Sequence, residues 1–90
     1  MVPASIGNLS LLRDLSIAKN KLTDVENDCL SNLTSLVMLD LHQNNFKTFS
    51  SVPRSDTLDT ITLGYNQLTQ VQHLENAPIL TVLDLHSNKM

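Results

Sequence analysis

The feature that most constrains this chain is an internal repeat with the pattern L-x-x-L-x-L-x-x-N-x-L. Its four copies occupy residues 12–22, 36–46, 58–68 and 80–90, and they begin 24, 22 and 22 residues apart. Every apolar position of the pattern carries an aliphatic or aromatic side chain, and asparagine stands at the polar position in all four copies. The fold must therefore place one equivalent structural unit about every 22 residues along the chain.

The middle of each copy has the periodicity of a short strand. Leu39 and Leu41 alternate with Asp40 and His42, a period of two that predicts one buried face and one solvent-facing face. A short strand that recurs in one orientation can pair only with its equivalents, so we predict a parallel ladder. The recurring asparagines follow the strands, where their amides are predicted to bond backbone groups exposed by the turn. They are Asn20, Asn44, Asn66 and Asn88.

The remainder of each repeat is predicted to return along the opposite side. The apolar residues of the first and third returns are Val25, Leu30 and Leu33, and Val71, Leu74 and Ala77. The apolar pattern of the second return is weaker, because residues 53–57 form a polar stretch and Ser55 stands near the position where an apolar residue is expected. We predict that this return is extended or loosely ordered.

Over essentially its whole length the chain resembles the leucine-rich-repeat family. The resemblance implies an α/β fold: a right-handed solenoid, part of a curved horseshoe, with a parallel β-sheet on the concave face. Short helical or extended returns are implied for the convex face. The chain then divides into full repeats at 12–35, 36–57 and 58–79 and partial repeats at 1–11 and 80–90. Because the first segment resembles the second half of a repeat, we expect a fragment of a longer array.

No motif for catalysis, cofactor binding or metal binding stands out. The two glycines lie 57 residues apart and cannot form a phosphate-binding loop, while the single Cys29 forms neither an internal disulfide nor a thiolate zinc site. Asp40 and His42 recur as Asp84 and His86. Those pairs stand two strands apart, about 10 Å, which is too far for one shared ion. We therefore predict a protein that is not an enzyme and holds no cofactor or metal.

The charge of the chain and its lack of long apolar segments limit which class of partner and which cellular location we predict. Six basic and nine acidic residues give a net charge of −3, and the bases are scattered, which argues against nucleic acid. No apolar run of 18 residues or signal-peptide pattern occurs, so we expect no membrane insertion. The short repeats and unpaired cysteine are similar to those of intracellular Ras-group scaffold proteins, so the predicted location is cytoplasmic. Sequons at Asn8 and Asn32 leave glycosylation and an extracellular location open.

The outward strand positions form the candidate site. Their rows of carboxylates, imidazoles and exposed apolar groups are typical of a surface that binds a protein, especially one offering Lys or Arg to Asp40 and Asp84. We predict a non-catalytic protein-interaction module of a signalling scaffold. Two alternatives stay open: the substrate-recognition arm of a kinase, phosphatase or ubiquitin ligase, and a fragment of an extracellular receptor ectodomain. The predicted contact residues are Asp14, Ser16, Met38, Asp40, His42, Thr62, Tyr65, Asp84 and His86.

Overall fold

The computed structural model describes residues 4–23 and 30–89, which form short strands joined by turns. Predictions that concern Val25 and Cys29 lie outside these residues. Short 3-10 helices span Ala4–Asn8 and Leu74–Asn76. The strands are β1 (Asp14–Ser16), β2 (Met38–Asp40), β3 (Thr48–Phe49), β4 (Thr60–Thr62), β5 (Gln70–Val71) and β6 (Val82–Asp84).

Four of the strands form the predicted parallel sheet, in the order β1-β2-β4-β6. The register matches equivalent repeat positions, because Leu15 faces Leu39, Leu39 faces Ile61 and Ile61 faces Leu83. Each strand therefore pairs with the strand of the next repeat. On the opposite side, β3 and β5 form a second, two-stranded parallel sheet in which Phe49 faces Val71.

The core lies between the two sheets and consists mainly of leucine. The central residue of β1, β2 and β4 is buried and its two neighbours are more exposed, as the period of two predicts. Leu39, Leu41 and Leu63 are fully buried. Phe46 and Phe49 meet edge to face with ring centroids 5.7 Å apart, and together they fill the side of the core nearer β3. Aliphatic burial thus supplies most of the stabilisation.

Asn44, Asn66 and Asn88 bond the backbone of neighbouring repeats, which confirms their predicted role. Asn20 departs from it, because its side chain is exposed and donates to Ala18 O in its own repeat. Asn66 Nδ2 donates to the carbonyl oxygens of Leu41 (3.1 Å) and Leu63 (2.9 Å), and its Oδ1 accepts from Phe46 N–H at 3.1 Å. Asn44 and Asn88 repeat this arrangement one repeat earlier and one repeat later. Each side chain therefore ties two adjacent turns together.

The second return forms neither helix nor strand over residues 50–55 and turns at residues 56–57, but Ser55 is firmly placed. Ser55 is fully buried, and its hydroxyl donates to the carbonyl oxygen of Leu36 at 2.7 Å. Thr57 Oγ1 donates to the same oxygen at 3.0 Å, and the backbone N–H of Ser55 donates to Asn76 O at 3.2 Å. A polar residue is accommodated at the expected apolar position because the carbonyl of Leu36, two residues before β2, is within reach.

Candidate protein-binding face

The outward side chains of the four-stranded sheet, together with the residues that follow each strand, form a surface that we call the strand face. The register lines up Ser16, Asp40, Thr62 and Asp84 in one row. Of the predicted contact residues, Asp14, Ser16, Tyr65 and His86 are exposed, and Met38, Asp40, His42, Thr62 and Asp84 are half-buried. All nine therefore reach one side of the sheet.

Asp40, on the central strand β2, is the most connected polar side chain of the strand face. Its Oδ1 accepts from Thr62 Oγ1 at 2.6 Å, from His42 Nδ1 at 2.5 Å and from the backbone N–H of His42 at 3.2 Å. Its Oδ2 accepts from Ser16 Oγ at 3.2 Å. Burial raises the pKa of Asp40, but the bonds from Thr62 and His42 outweigh burial and hold that pKa below its usual value. Asp40 thus links three strands through an ionised carboxylate.

Asp84 and His86 form a second pair of the same kind on β6. Asp84 Oδ1 accepts from the ring Nδ1 and from the backbone N–H of His86. The ring bond lowers the pKa of Asp84 most, the backbone bond lowers it further, and His42 adds a smaller electrostatic contribution in the same direction.

Gly64 lies between the two histidines and determines where the His86 ring sits. A Cβ atom built on Gly64 would stand 2.6 Å from His86 Cε1 and 2.9 Å from His86 Nδ1. The backbone of Gly64 does not have a positive φ, so glycine is needed there for space and not for conformation. Tyr65 meets the same ring edge to face, with centroids 4.7 Å apart. The His86 ring is therefore packed against the backbone of Gly64 and against the ring of Tyr65.

Two features of the strand face were not predicted from the sequence: the role of Gly64, and the backbone geometry of the position that follows Gly64 and its equivalents in the other repeats. The signal for Gly64 was present, because glycine replaces histidine between two repeats that carry histidine. The next position has a left-handed backbone in all four repeats, with φ of 64°, 56°, 57° and 59°. Those residues are Lys19, Gln43, Tyr65 and Ser87. Their shared φ turns the chain away from the sheet and projects the side chain outward from its edge.

Asp14 and Met38 lie apart from the two Asp–His pairs, in the row that begins each strand. This row continues through Thr60 to Val82, whose surface is 48% exposed. It gives the strand face an apolar margin beside its acidic and imidazole centre. Mixed apolar and polar surface of this kind is suited to protein contacts.

The residues that the structure describes contain neither a metal-binding cluster nor a membrane-spanning helix. No three His, Cys, Asp or Glu side chains there converge in a way that could hold a metal ion. Within the same residues, no helix is long and apolar enough to span a bilayer.

The family model described as leucine rich repeat matches residues 2–46 of the chain. Keratocan of Gallus gallus is 35% identical over 79 residues, which cover 88% of this chain and 21% of keratocan. Human keratocan is 34% identical over 88 residues, covering 92% of this chain and 24% of that protein. Osteomodulin of Bos taurus is 31% identical over 87 residues, which cover 92% of this chain and 20% of osteomodulin. The chain thus spans about a fifth of the length of these relatives. No solved structure matches it.

These relatives correct the predicted location and support the predicted family. Keratocan and osteomodulin are secreted proteoglycans of the extracellular matrix, so the predicted cytoplasmic location is wrong, and the Ras-group and signalling assignments gain no support. Short repeats without paired cysteines were an insufficient guide, because repeat length reflects the packing of each unit and carries no information on location. The match of the family model, the parallel sheet and the asparagine contacts agree with one another, and the chain belongs to the leucine-rich-repeat family.

Proposed function

We propose that this chain is a non-catalytic, extracellular protein-binding segment that contacts its partner through the strand face. The observation that carries the proposal is the in-register row of outward polar side chains across four strands. A row on a rigid sheet presents groups at a fixed spacing of about 4.8 Å between neighbouring strands, which suits recognition of an extended protein surface.

The proposal includes the shape of the molecule and its repeat boundaries. The four strands would line the concave side of a right-handed solenoid, with β3 and β5 on the convex side. Residues 12–35, 36–57 and 58–79 would be the full repeats. The contact residues are the nine predicted from the sequence, with Gly64 added as the residue that makes room for His86.

Charge indicates the kind of partner. Asp14, Asp40 and Asp84 give the strand face an acidic character, and Lys19 is the one lysine or arginine in the outward rows of the described residues. A partner with arginine or lysine side chains is complementary to such a face. Matching to keratocan and osteomodulin, which are structural or interaction proteins, favours binding over the enzyme-arm alternative.

The test compares two charge-reversal variants that change net charge equally. One carries Asp14→Lys and Asp84→Lys on the strand face. The control carries Asp56→Lys and Glu75→Lys, two exposed acids outside it. A partner is first captured from conditioned medium with the wild-type chain and is then titrated by surface plasmon resonance. We expect the strand-face variant to lose about tenfold or more in affinity and the control to stay near wild type.

The opposite result would contradict the proposal. If the strand-face variant retains its affinity while the control variant loses it, the partner contacts the side of the molecule that carries β3 and β5. Circular dichroism on both variants establishes that the comparison is between folded proteins.

A further inference from the structure

The two Asp–His pairs determine which imidazole nitrogen is available to a partner. His42 Nδ1 lies 2.5 Å from Asp40 Oδ1, and His86 Nδ1 contacts Asp84 Oδ1 in the same way. Both carboxylates have pKa values below the usual value, so each accepts and the shared proton belongs to Nδ1. A neutral imidazole that carries its proton on Nδ1 has an unprotonated Nε2, which is a hydrogen-bond acceptor.

Asp40 has little capacity left for a partner of its own. Its two oxygens accept four hydrogen bonds, from Ser16, from Thr62 and from both the ring and the backbone of His42. Three of these bonds end on Oδ1 and one ends on Oδ2, and each carboxylate oxygen offers about two lone-pair sites, so only Oδ2 has a site left. It therefore orients His42, and only its Oδ2 can accept a further bond from a partner.

The His86 ring is held in place from three sides. Asp84 binds its Nδ1, the backbone of Gly64 lies under it, and Tyr65 meets it at an interplanar angle of 84°. Tyr65 itself is 54% exposed, so much of its ring remains open beside the imidazole. A fixed acceptor next to an exposed aromatic ring is a suitable environment for a planar cation.

We propose that Nε2 of His86 and Nε2 of His42 each act as an acceptor for an arginine side chain of the partner, with Asp84 and Asp40 as the respective positioning residues. This inference rests on the proposed function and specifies which side chain of the partner the strand face binds. Arginine fits better than lysine because its planar guanidinium presents five N–H donors and stacks on aromatic rings such as Tyr65. The acidic surroundings supply the complementary charge.

The first test determines the tautomers by long-range ¹H–¹⁵N NMR on the free protein at neutral pH. We expect the Nδ1–H form at both His42 and His86. Gly64→Ala should disturb the pattern at His86, since the added Cβ lies within 2.6 Å of the ring, and should leave His42 as an internal reference. A dominant Nε2–H form at His42 and His86 would overturn the inference.

The second test uses defined probes, the peptides acetyl-Gly-Arg-Gly-amide and acetyl-Gly-Glu-Gly-amide. The arginine peptide should produce saturable shifts at Gly64, Tyr65 and the two histidines, and the glutamate peptide should not. His86→Ala should weaken arginine binding about tenfold, because one hydrogen bond to a charged donor is lost. The matched control is His73→Ala, since His73 is similarly exposed and pairs with Glu75 outside the strand face.

Equal titrations by the two peptides, or equal losses from the two alanine variants, would contradict the arginine assignment. Failure here is distinguishable from failure of the proposed function. If the tautomer is wrong while the Asp14/Asp84 charge reversal still abolishes partner binding, the strand face binds by other atoms. If the charge-reversal pair behaves in the opposite sense, the location of the interface itself is wrong.

Discussion

Replacing Asn66 by alanine tests the asparagine contacts most directly. The Asn66 side chain is buried, and it accepts from Phe46 N–H while donating to the carbonyl oxygens of Leu41, Leu63 and Gly64. Asn20 occupies the same position of the repeat but is exposed, and its side-chain amide donates to Ala18 O. The same substitution can therefore be made at a connected and at a weakly connected copy of the motif.

The expected cost follows from which groups lose their last partner. Leu41 O also accepts from Asn44 Nδ2 and Leu63 O also accepts from Asn88 Nδ2, so both keep a donor in Asn66→Ala. Phe46 N–H loses the acceptor that Asn66 supplies, and a buried unsatisfied donor costs about 1–3 kcal/mol. With the loss of the remaining bonds, we expect Asn66→Ala to lower the free energy of unfolding by about 3 kcal/mol. Asn20→Ala should cost less than about 1 kcal/mol.

Urea denaturation followed by circular dichroism measures both variants against wild type. An Asn66→Ala protein that shows no cooperative transition, beside an Asn20→Ala protein that does, agrees with the prediction. Free energies of unfolding within about 0.5 kcal/mol of one another would refute it, because the cost would then be independent of burial and of the number of bonded groups.

Three further predictions concern the core, the second return and the acid side of the stability curve. Leu41→Ala should lower the free energy of unfolding by about 2–5 kcal/mol, measured by urea denaturation, because Leu41 is fully buried; a change below about 0.5 kcal/mol would contradict its inward position. Ser55→Ala should cost about 1 kcal/mol or more in the same assay, because Leu36 O loses a donor, and an unchanged midpoint would show that Thr57 alone satisfies that oxygen. The lowered pKa of Asp40 contributes stability that is fully present above the unfolded value, about 3.9, and is lost as pH falls through the folded value. Between pH 6 and pH 2 the melting temperature of the wild type should therefore fall more steeply than that of Asp40→Asn. Parallel curves would show that the Asp40 carboxylate does not contribute to stability in this way.

The strand face shows how far the sequence could predict a site. The alternation around Leu39 placed Asp40 and His42 on the outer side, and the structure agrees. From the sequence, Asp40 and Asp84 were both predicted to bind Lys or Arg of a partner. In the structure, Asp40 also accepts from Ser16 and Thr62, residues 24 and 22 positions away. Charge reversal at Asp40 would break those bonds and disturb the fold, which is why the binding test uses Asp14 and Asp84 in its place.

The sequence by itself determined the repeat, the parallel strands, the inward leucines and the turn asparagines. These follow from local periodicity, since alternation along one strand fixes which face is buried and equal spacing fixes which strands pair. The tertiary structure alone decided that Ser55 is buried, that Gly64 makes room for His86 and that Asp40 accepts bonds from both neighbouring strands. Each of these depends on atoms brought within a few ångströms of one another by residues about 20 positions apart, and such contacts depend on side-chain positions that periodicity does not specify.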